Sequence, residues 1–203
     1  MHKIPQENTL KLFHAHNSPY SRRVRLAARL SGLNIEEIDV SKDPAGRTAL
    51  NGAGPGAKIP GLLLDDGTCL CESLIITNYL NSCTDGKLMP NETKLLELEG
   101  IASVLMDATY KRSKEQLATD GQPSTTVLET ETNRIARCYD ALDERLSHQA
   151  AVLNNATIAA IAALGYADWR GADDNWREGR DGLAAWFDAM TENSDVAETA
   201  PIF

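Results

Sequence analysis

Residues 9–14, T-L-K-L-F-H, alternate polar and apolar positions and predict a strand. Ser18-Pro19 then opens a helix, since serine is a favoured N-cap and proline fits the first helical position. Val24, Ala27, Ala28 and Leu30 mark the buried side of that helix, and Gly32 closes it. Alternation returns over residues 35–40, so strand, helix and strand make a βαβ unit with a parallel pair. Residues 43–50 predict a short irregular helix. A short apolar strand at 62–64, the tight turn Asp65-Asp66-Gly67 and a second strand at 68–71 read as a hairpin. Glu72-Ser73 opens another helix, on which Leu74, Ile75, Tyr79 and Leu80 recur at helical spacing.

The pattern then changes. Residues 84–90 are polar, with Gly and Pro, and read as a linker between a first domain at 1–83 and a second at 91–203. Leu98, Ile101, Ala102, Leu105, Ala108 and Thr109 lie on one face of a long helix over 91–118, which the polar, Gly- and Pro-containing stretch 120–124 ends. A second long helix carries Leu128, Ile135, Cys138, Tyr139, Leu142 and Leu146. Residues 154–166 are nearly all Ala, Ile and Leu; a helix apolar all round is buried, which makes this one the core of the second domain. Residues 169–179 read as a polar loop with two tryptophans, and Leu183, Trp186, Phe187 and Met190 mark one face of a last helix.

Composition narrows the function classes. The formal net charge of −9 argues against a general nucleic-acid binder or a binder of anionic membranes, because both need a basic face. No apolar run has the length of a membrane span, and residues 1–8 lack the apolar core of a signal peptide, so the expectation is a cytoplasmic protein. The four cysteines, Cys69, Cys71, Cys83 and Cys138, form no C-x-x-C and no zinc spacing with histidine. The expectation is reduced thiols and no metal. Asp107 and Lys111, four apart on the long helix, predict a surface ion pair.

The candidate chemistry lies between residues 55 and 80. An X-Pro bond such as Ile59-Pro60 can be cis, which turns the backbone N–H and C=O of the preceding residue outward, ready to clamp an extended peptide. Ser73 falls at a helix N-terminus, where open N–H groups favour a carboxylate. Glu72 beside it can accept from an ammonium. Both residue types also serve as plain helix starters.

The ordered set K-I-P, D-G and E-S-x-x-I-x-x-Y-L resembles the thioredoxin-like domain of the glutathione S-transferases. The all-helical second half, with Asn154-x-x-Thr157 as a capping box, the run A-T-I-A-A-I-A-A-L-G-Y-A-D-W-R and the later W-F-D-A-M, resembles the C-terminal domain of the same family. The fold class implied is an α/β thioredoxin-like domain followed by an all-α domain. In that family the box usually carries Ser or Thr and Asp, so the version here is expected to be less stabilising.

The resemblance implies a glutathione transferase of the detoxification type, a homodimer, with glutathione as substrate and no further cofactor. It assigns the cysteinyl backbone of glutathione to Ile59 and Pro60, and its γ-glutamyl end to Glu72 and Ser73. Lys58 is a candidate for the glycyl carboxylate, or a solvated lysine. Gly54-Pro55 stands where the family often has Asn-Pro. Ser18 is the candidate catalytic hydroxyl, hydrogen-bonding the glutathione sulfur, with Asn17 and Tyr20 as alternatives. A cysteine thiol with a pKa of about 8.5 is mostly protonated near neutrality, and a hydroxyl donor at a helix N-terminus lowers that value. The hydrophobic electrophile would sit between the domains, near Met106, Tyr110, Tyr166 and Trp169, each of which also reads as packing. Of Arg22, Arg23 and Arg25, one is expected to pair with a carboxylate across the domains and the others to be solvated. His14 on the first strand reads as structural, and His16 flanks the Ser18 turn. Two rival readings remain: a non-catalytic binding or regulatory protein on the same scaffold, and a glutathione-dependent thiol reductase or peroxidase, which the absence of cysteine at the Ser18 turn disfavours.

Overall fold

The computed structural model describes residues 9–89, 92–118 and 121–201. Residues 90, 91 and 120, on which the end of the predicted linker, the start of the long helix and part of the break fall, lie outside the described residues. The chain divides into two compact units, Met1–Asn91 with Glu198–Phe203, and Glu92–Ala197.

The first unit contains β1 (Leu10–His14), α1 (Pro19–Ser31), β2 (Ile35–Asp39), α2 (Pro44–Ala53), β3 (Gly61–Leu63), β4 (Cys69–Cys71) and α3 (Ser73–Cys83). Its four-stranded sheet has the order β2-β1-β3-β4. β1 runs parallel to β2 and antiparallel to β3, which pairs antiparallel with β4. Leu12 and Phe13 are both fully buried. Neighbouring side chains of a strand point to opposite faces, so the sheet is covered on both. On one face Phe13, Val40 and Leu50 form a cluster, with Ile38, Ile59, Leu63 and Cys69 packed against it. Gly61 has to be glycine for this packing, since a Cβ there would stand 2.9 Å from Leu50 Cδ1.

α1 begins and ends where the pattern predicts. The Ser18 hydroxyl accepts from the Ser21 N–H at 3.2 Å, Pro19 is the first helical residue, and Gly32 ends the helix at φ 65°. The arginines of α1 are not solvated, as two of them were expected to be. Arg22, Arg23 and Arg25 are all buried, and Arg25 donates from Nε to Glu37 Oε2 on β2 at 2.6 Å, inside the first unit. Two further corrections concern the helices. α2 is a regular helix capped by the Asp43 side chain, which accepts from the Ala45 N–H. On α3 the buried residues are Ser73, Ile76, Thr77 and Leu80, while Leu74 and Ile75 are 41% and 53% exposed. The inward row is set by Ile76 and Leu80, four apart, and not by the larger total of apolar residues on the helix. Asn81 then accepts the N–H groups of Leu88 and Met89 on its side-chain oxygen, drawing both residues into buried positions.

The second unit holds α4 (Thr93–Gln116), α5 (Thr125–Leu146), α6 (Asn155–Arg170), a 3-10 turn (Ala172–Asp174) and α7 (Asp181–Thr191), while a short α8 (Ser194–Glu198), not foreseen from sequence, reaches the boundary. α6 is buried without a break from Asn155 to Ala167, packed on α4. Its capping box is present: Asn154 Oδ1 accepts from the Ala156 and Thr157 N–H groups, and Thr157 Oγ1 accepts from the Asn154 N–H at 2.9 Å. The threonine hydroxyl also donates to the Val152 carbonyl at 2.8 Å, which an ionised aspartate could not do.

The stretch read as a polar loop is built differently. α6 runs on through Trp169 to Arg170. Trp176 is buried and donates from its indole N–H to Asp168 at 2.6 Å, and Arg177 pairs with the same carboxylate. Arg112 on α4 grips Asp174 through two bonds of 2.8 and 2.6 Å, and the Tyr139 hydroxyl donates to it as well. Lys111 turns to Glu131 on α5 at 2.6 Å, and not to Asp107.

Removing one partner of a buried pair leaves the other charge uncompensated. Asp174→Ala is therefore expected to lower the urea stability of the helical unit by about 3 kcal/mol. A loss below about 1 kcal/mol would show that Trp176 packing alone holds the segment.

Candidate functional site

The sheet register brings the predicted residues to one edge. Phe13, Gly61 and Cys71 stand side by side on β1, β3 and β4. One step beyond that row come His14, Pro60 and Glu72. The turn leading to Ser18, the Ile59-Pro60 peptide and the start of α3 thus leave the same end of three adjacent strands, within roughly 10 Å across the sheet.

Each segment presents groups suited to a ligand. Ser18 is half-buried at the N-terminus of α1; its oxygen caps the helix, and its hydroxyl proton remains available to donate. Asn17 beside it is exposed and Tyr20 half-buried. The Ile59-Pro60 bond is cis. Pro60 is buried, Ile59 half-buried and Lys58 exposed. Among the described residues, the backbone of Ile59 takes no part in the hydrogen bonds that tie the turns and loops together. Glu72 is exposed and lies at φ 68°, a region that costs a side-chain-bearing residue energy and recurs at ligand clamps. It gives α3 no side-chain cap, so the first-turn N–H groups stay open beside the buried Ser73. A hydroxyl donor, a free peptide edge and an open helix N-terminus form a row that fits an extended peptide with an acidic head.

Behind the Ser18 turn lies a charged cluster that sequence reasoning missed. Arg25 reaches Glu37 through Nε and approaches His16 Nδ1 at 3.3 Å through Nη1. His16 Nε2 stands 3.6 Å from Asp39, and the rings of His14 and His16 meet edge to face at 5.1 Å. Burial, reinforced by Arg25 and opposed by Glu37, pushes the His14 pKa down to about 4. Burial and Arg25 also lower His16. Burial tends to raise Asp39, but hydrogen bonds from Ser41 and the two histidines bring it below its usual value. The only sequence signal was Glu37 on the strand paired with the one that carries His14.

The candidates of the helical unit are placed as follows. Met106 is fully buried, Tyr166 is 5% exposed, Tyr110 is 43% exposed and Trp169 is half-buried. A separate groove of about 410 Å³, lined among others by Lys94, Leu98, Arg145 and Val152, contains none of them. Among the described residues, no group of three or more His, Cys, Asp or Glu is placed to hold a metal ion, and no helix is long and apolar enough to cross a membrane.

The fold is a thioredoxin-like α/β unit with a candidate ligand edge, followed by an all-helical unit. Residues 12–87 match the glutathione S-transferase N-terminal domain. A glutathione transferase family member from Pseudomonas fluorescens Pf-5, solved with bound glutathione, is 30% identical and superposes with a TM-score of 0.82 over 96% of this chain and 100% of that one. A structure of a family member from the same organism with bound S-(propanoic acid)-glutathione is 28% identical, with a TM-score of 0.79 over 96% of this chain and 98% of that one. The uncharacterized GST-like protein YibF of Escherichia coli (strain K12) is 27% identical over 95% of this chain and 98% of its own length. The chain belongs to the glutathione S-transferase family.

His14 gives the first unit a pH dependence. Below its ordinary value of 6.5 the unfolded chain takes up a proton that the folded chain refuses down to about 4. Stability is therefore lost as pH falls through that window, by up to about 3 kcal/mol. In urea titrations at about pH 7 and about pH 4.5, wild type should lose more stability than His14→Gln. Equal losses would mean that the histidine is protonated in the fold.

Proposed function

We propose that the protein is a glutathione transferase that holds its substrate along the edge formed by Ser18, Ile59 and Ser73. The observation that carries this reading is the register, which aligns these three segments on neighbouring strand ends. In this reading the free N–H and C=O of Ile59 pair with the cysteinyl backbone in strand fashion. The open first turn of α3 and Ser73 hold the α-carboxylate of the γ-glutamyl end, and Glu72 its ammonium. Lys58, exposed nearby, takes the glycyl carboxylate. Ser18 donates its hydroxyl proton to the sulfur, and the positive end of α1 adds to the stabilisation of a thiolate. The thiolate attacks an electrophilic carbon: a C–S bond forms, the leaving group departs with its electron pair, and the thiol proton goes to solvent. A serine at this turn offers no sulfur for a mixed disulfide, which favours conjugation over thiol reduction.

Tyr110, Tyr166 and Trp169 of the helical unit are the candidates for contact with a hydrophobic electrophile. Met106 is fully buried and offers no surface to a substrate. The relative that holds S-(propanoic acid)-glutathione supports a substituent bearing a carboxylate on the sulfur. The four cysteines are free, and an exposed thiol such as Cys71 fits a reducing compartment such as the cytoplasm. The exposed Leu74 and Ile75 on α3 fit a buried homodimer contact.

Calorimetry with glutathione, with the ultraviolet absorption of bound thiolate recorded alongside, tests the assignment. Wild type is expected to bind at millimolar glutathione or below and to show thiolate. Ser18→Ala should lose the thiolate signal and about a hundredfold in kcat. It also loses an N-cap, worth about 1 kcal/mol, so Ser18→Thr serves as the control that keeps both cap and hydroxyl. No binding by wild type sinks the transferase reading, and a thiolate that survives in Ser18→Ala moves the sulfur contact to Asn17 or Tyr20. In sedimentation velocity, wild type should run as a dimer and Ile75→Arg as a monomer; an unchanged dimer would place the interface elsewhere.

A further inference from the structure

β4 places two thiols on one face at the rim of the sheet. Cys69 and Cys71 are two residues apart on the strand, so their side chains share a face. Cys69 packs against the Phe13, Val40 and Leu50 cluster, which identifies that face as the one covered by α2. Among the described residues β4 ends the sheet order β2-β1-β3-β4, and Cys71 is exposed while Cys69 is half-buried.

The Cys69 sulfur leans out of its own row. Cys69 stands level with Leu63 on β3, and Cys71 with Gly61. Diagonal neighbours on such a ladder have Cβ atoms roughly 7 Å apart. The Cys69 sulfur nonetheless lies only 3.7 Å from where a Cβ on Gly61 would stand, in the row of Cys71. It lies 3.4 Å from where a Cβ on Gly54 would stand, so a glycine on either side leaves the sulfur its place. Burial pushes the Cys69 thiol up, and the neighbouring Cys71 adds to the shift. Cys69 is thus a poor nucleophile near neutrality, and a role for the pair has to supply its own reason to remove the proton. A metal ion does so, because it deprotonates a coordinating thiol outright.

The spacing selects the kind of bridge. Two residues of strand span about 6.6 Å, at the outer limit for a disulfide, whose Cβ atoms must come within about 4 Å. Zinc in protein sites takes four ligands, and among the described residues no third His, Cys, Asp or Glu is placed to join the pair. An ion with two sulfurs on opposite sides fits better. With bonds of about 2.3 Å, the zinc–sulfur length, its sulfurs stand about 4.6 Å apart. The exposed Cys71 side chain has room to turn toward the leaning Cys69 sulfur and close that distance. Thiolates are soft ligands and select copper(I). The C-x-x-C and zinc patterns sought in the sequence pass over C-x-C, which serves an ion of lower coordination number.

We propose that Cys69 and Cys71 form a site for a soft, two-coordinate metal ion of the copper(I) class. Each thiol forms one sulfur–metal bond and gives its proton to solvent; the ion keeps its oxidation state, and the ligands that delivered it depart. The site lies within the first unit and does not depend on the transferase reading.

Anaerobic titration of copper(I) against the chromophoric chelator bicinchoninate, without glutathione, tests it. Wild type is expected to withdraw one ion per chain, with two sulfur neighbours in the X-ray absorption spectrum of the copper. Cys71→Ser should weaken binding by at least about a hundredfold, since loss of a mere outer-shell partner already costs about tenfold to a hundredfold. Cys69→Ser should do the same. Cys69 is packed and Cys71 exposed, so Cys71→Ser carries the test even where Cys69→Ser fails to fold. Cys83→Ser and Cys138→Ser should bind as wild type does. Failure of wild type to compete with the chelator overturns the proposal, as does copper binding that survives in Cys71→Ser. Half an ion per chain overturns it too, because a single exposed thiol would then be bridging two chains. Zinc(II) bound as tightly as copper(I) would overturn the two-coordinate assignment.

Discussion

The candidate site depends on the pairing of a three-residue strand, β3, with β1. Side chains alternate along a strand, so a slip of one residue would exchange the two faces of β3. Leu62, fully buried, would trade places with Gly61, and Ile59 and Pro60 would no longer stand level with the end of β1. The register is fixed from both sides. Leu62 faces Leu12 across the ladder, and Gly61 admits Leu50, where any larger residue would collide. The packing of α2 on the sheet and the position of the candidate edge are thus one constraint.

The turn that leads to Ser18 is held from below by charge. Arg25 lies one and a half to two turns further along the same helix, and its guanidinium ties Glu37 of β2 to His16 in the turn. A buried cation is tolerated only when paired. Burial first, and then the charge of Arg25, keep the neighbouring His14 neutral. Strand end, turn and helix start are therefore locked through one carboxylate, Glu37. The α1 N-terminus is placed by this network as much as by its own cap.

Much of this was legible in the residues, wherever a local rule decides the outcome. Ser18, Pro19 and Gly32 bracket α1 because caps act through the nearest backbone groups. Asp65-Asp66-Gly67 makes the hairpin because Gly67 takes φ 86°. The misreadings share a different cause. Arg25 was read as solvated, or paired across domains, because its acid lies on another element, twelve residues away. The 169–179 stretch looked like an open loop because Arg112, sixty-two residues before Asp174, holds it. On α3 the apolar count pointed to Leu74 and Ile75, whereas the sheet takes Ile76 and Leu80. Periodicity says that a helix has an apolar face; it does not say which face when two are available.

The two units also differ in what their candidate groups are made of. Along the edge of the first unit, the candidate groups are largely main chain: the Ile59 peptide and the open amides of α3. Main-chain groups persist through substitution as long as the register holds, so a binding edge of this kind tolerates sequence change. It also gives little room to alter what is bound. In the helical unit the candidate groups are side chains on two packed helices, Met106 and Tyr110 on α4 and Tyr166 and Trp169 on α6. The scaffold beneath them is secured separately, by the buried run of α6 and the Arg112–Asp174 lock. The candidate groups thus differ in material, main chain in the first unit and side chain in the second.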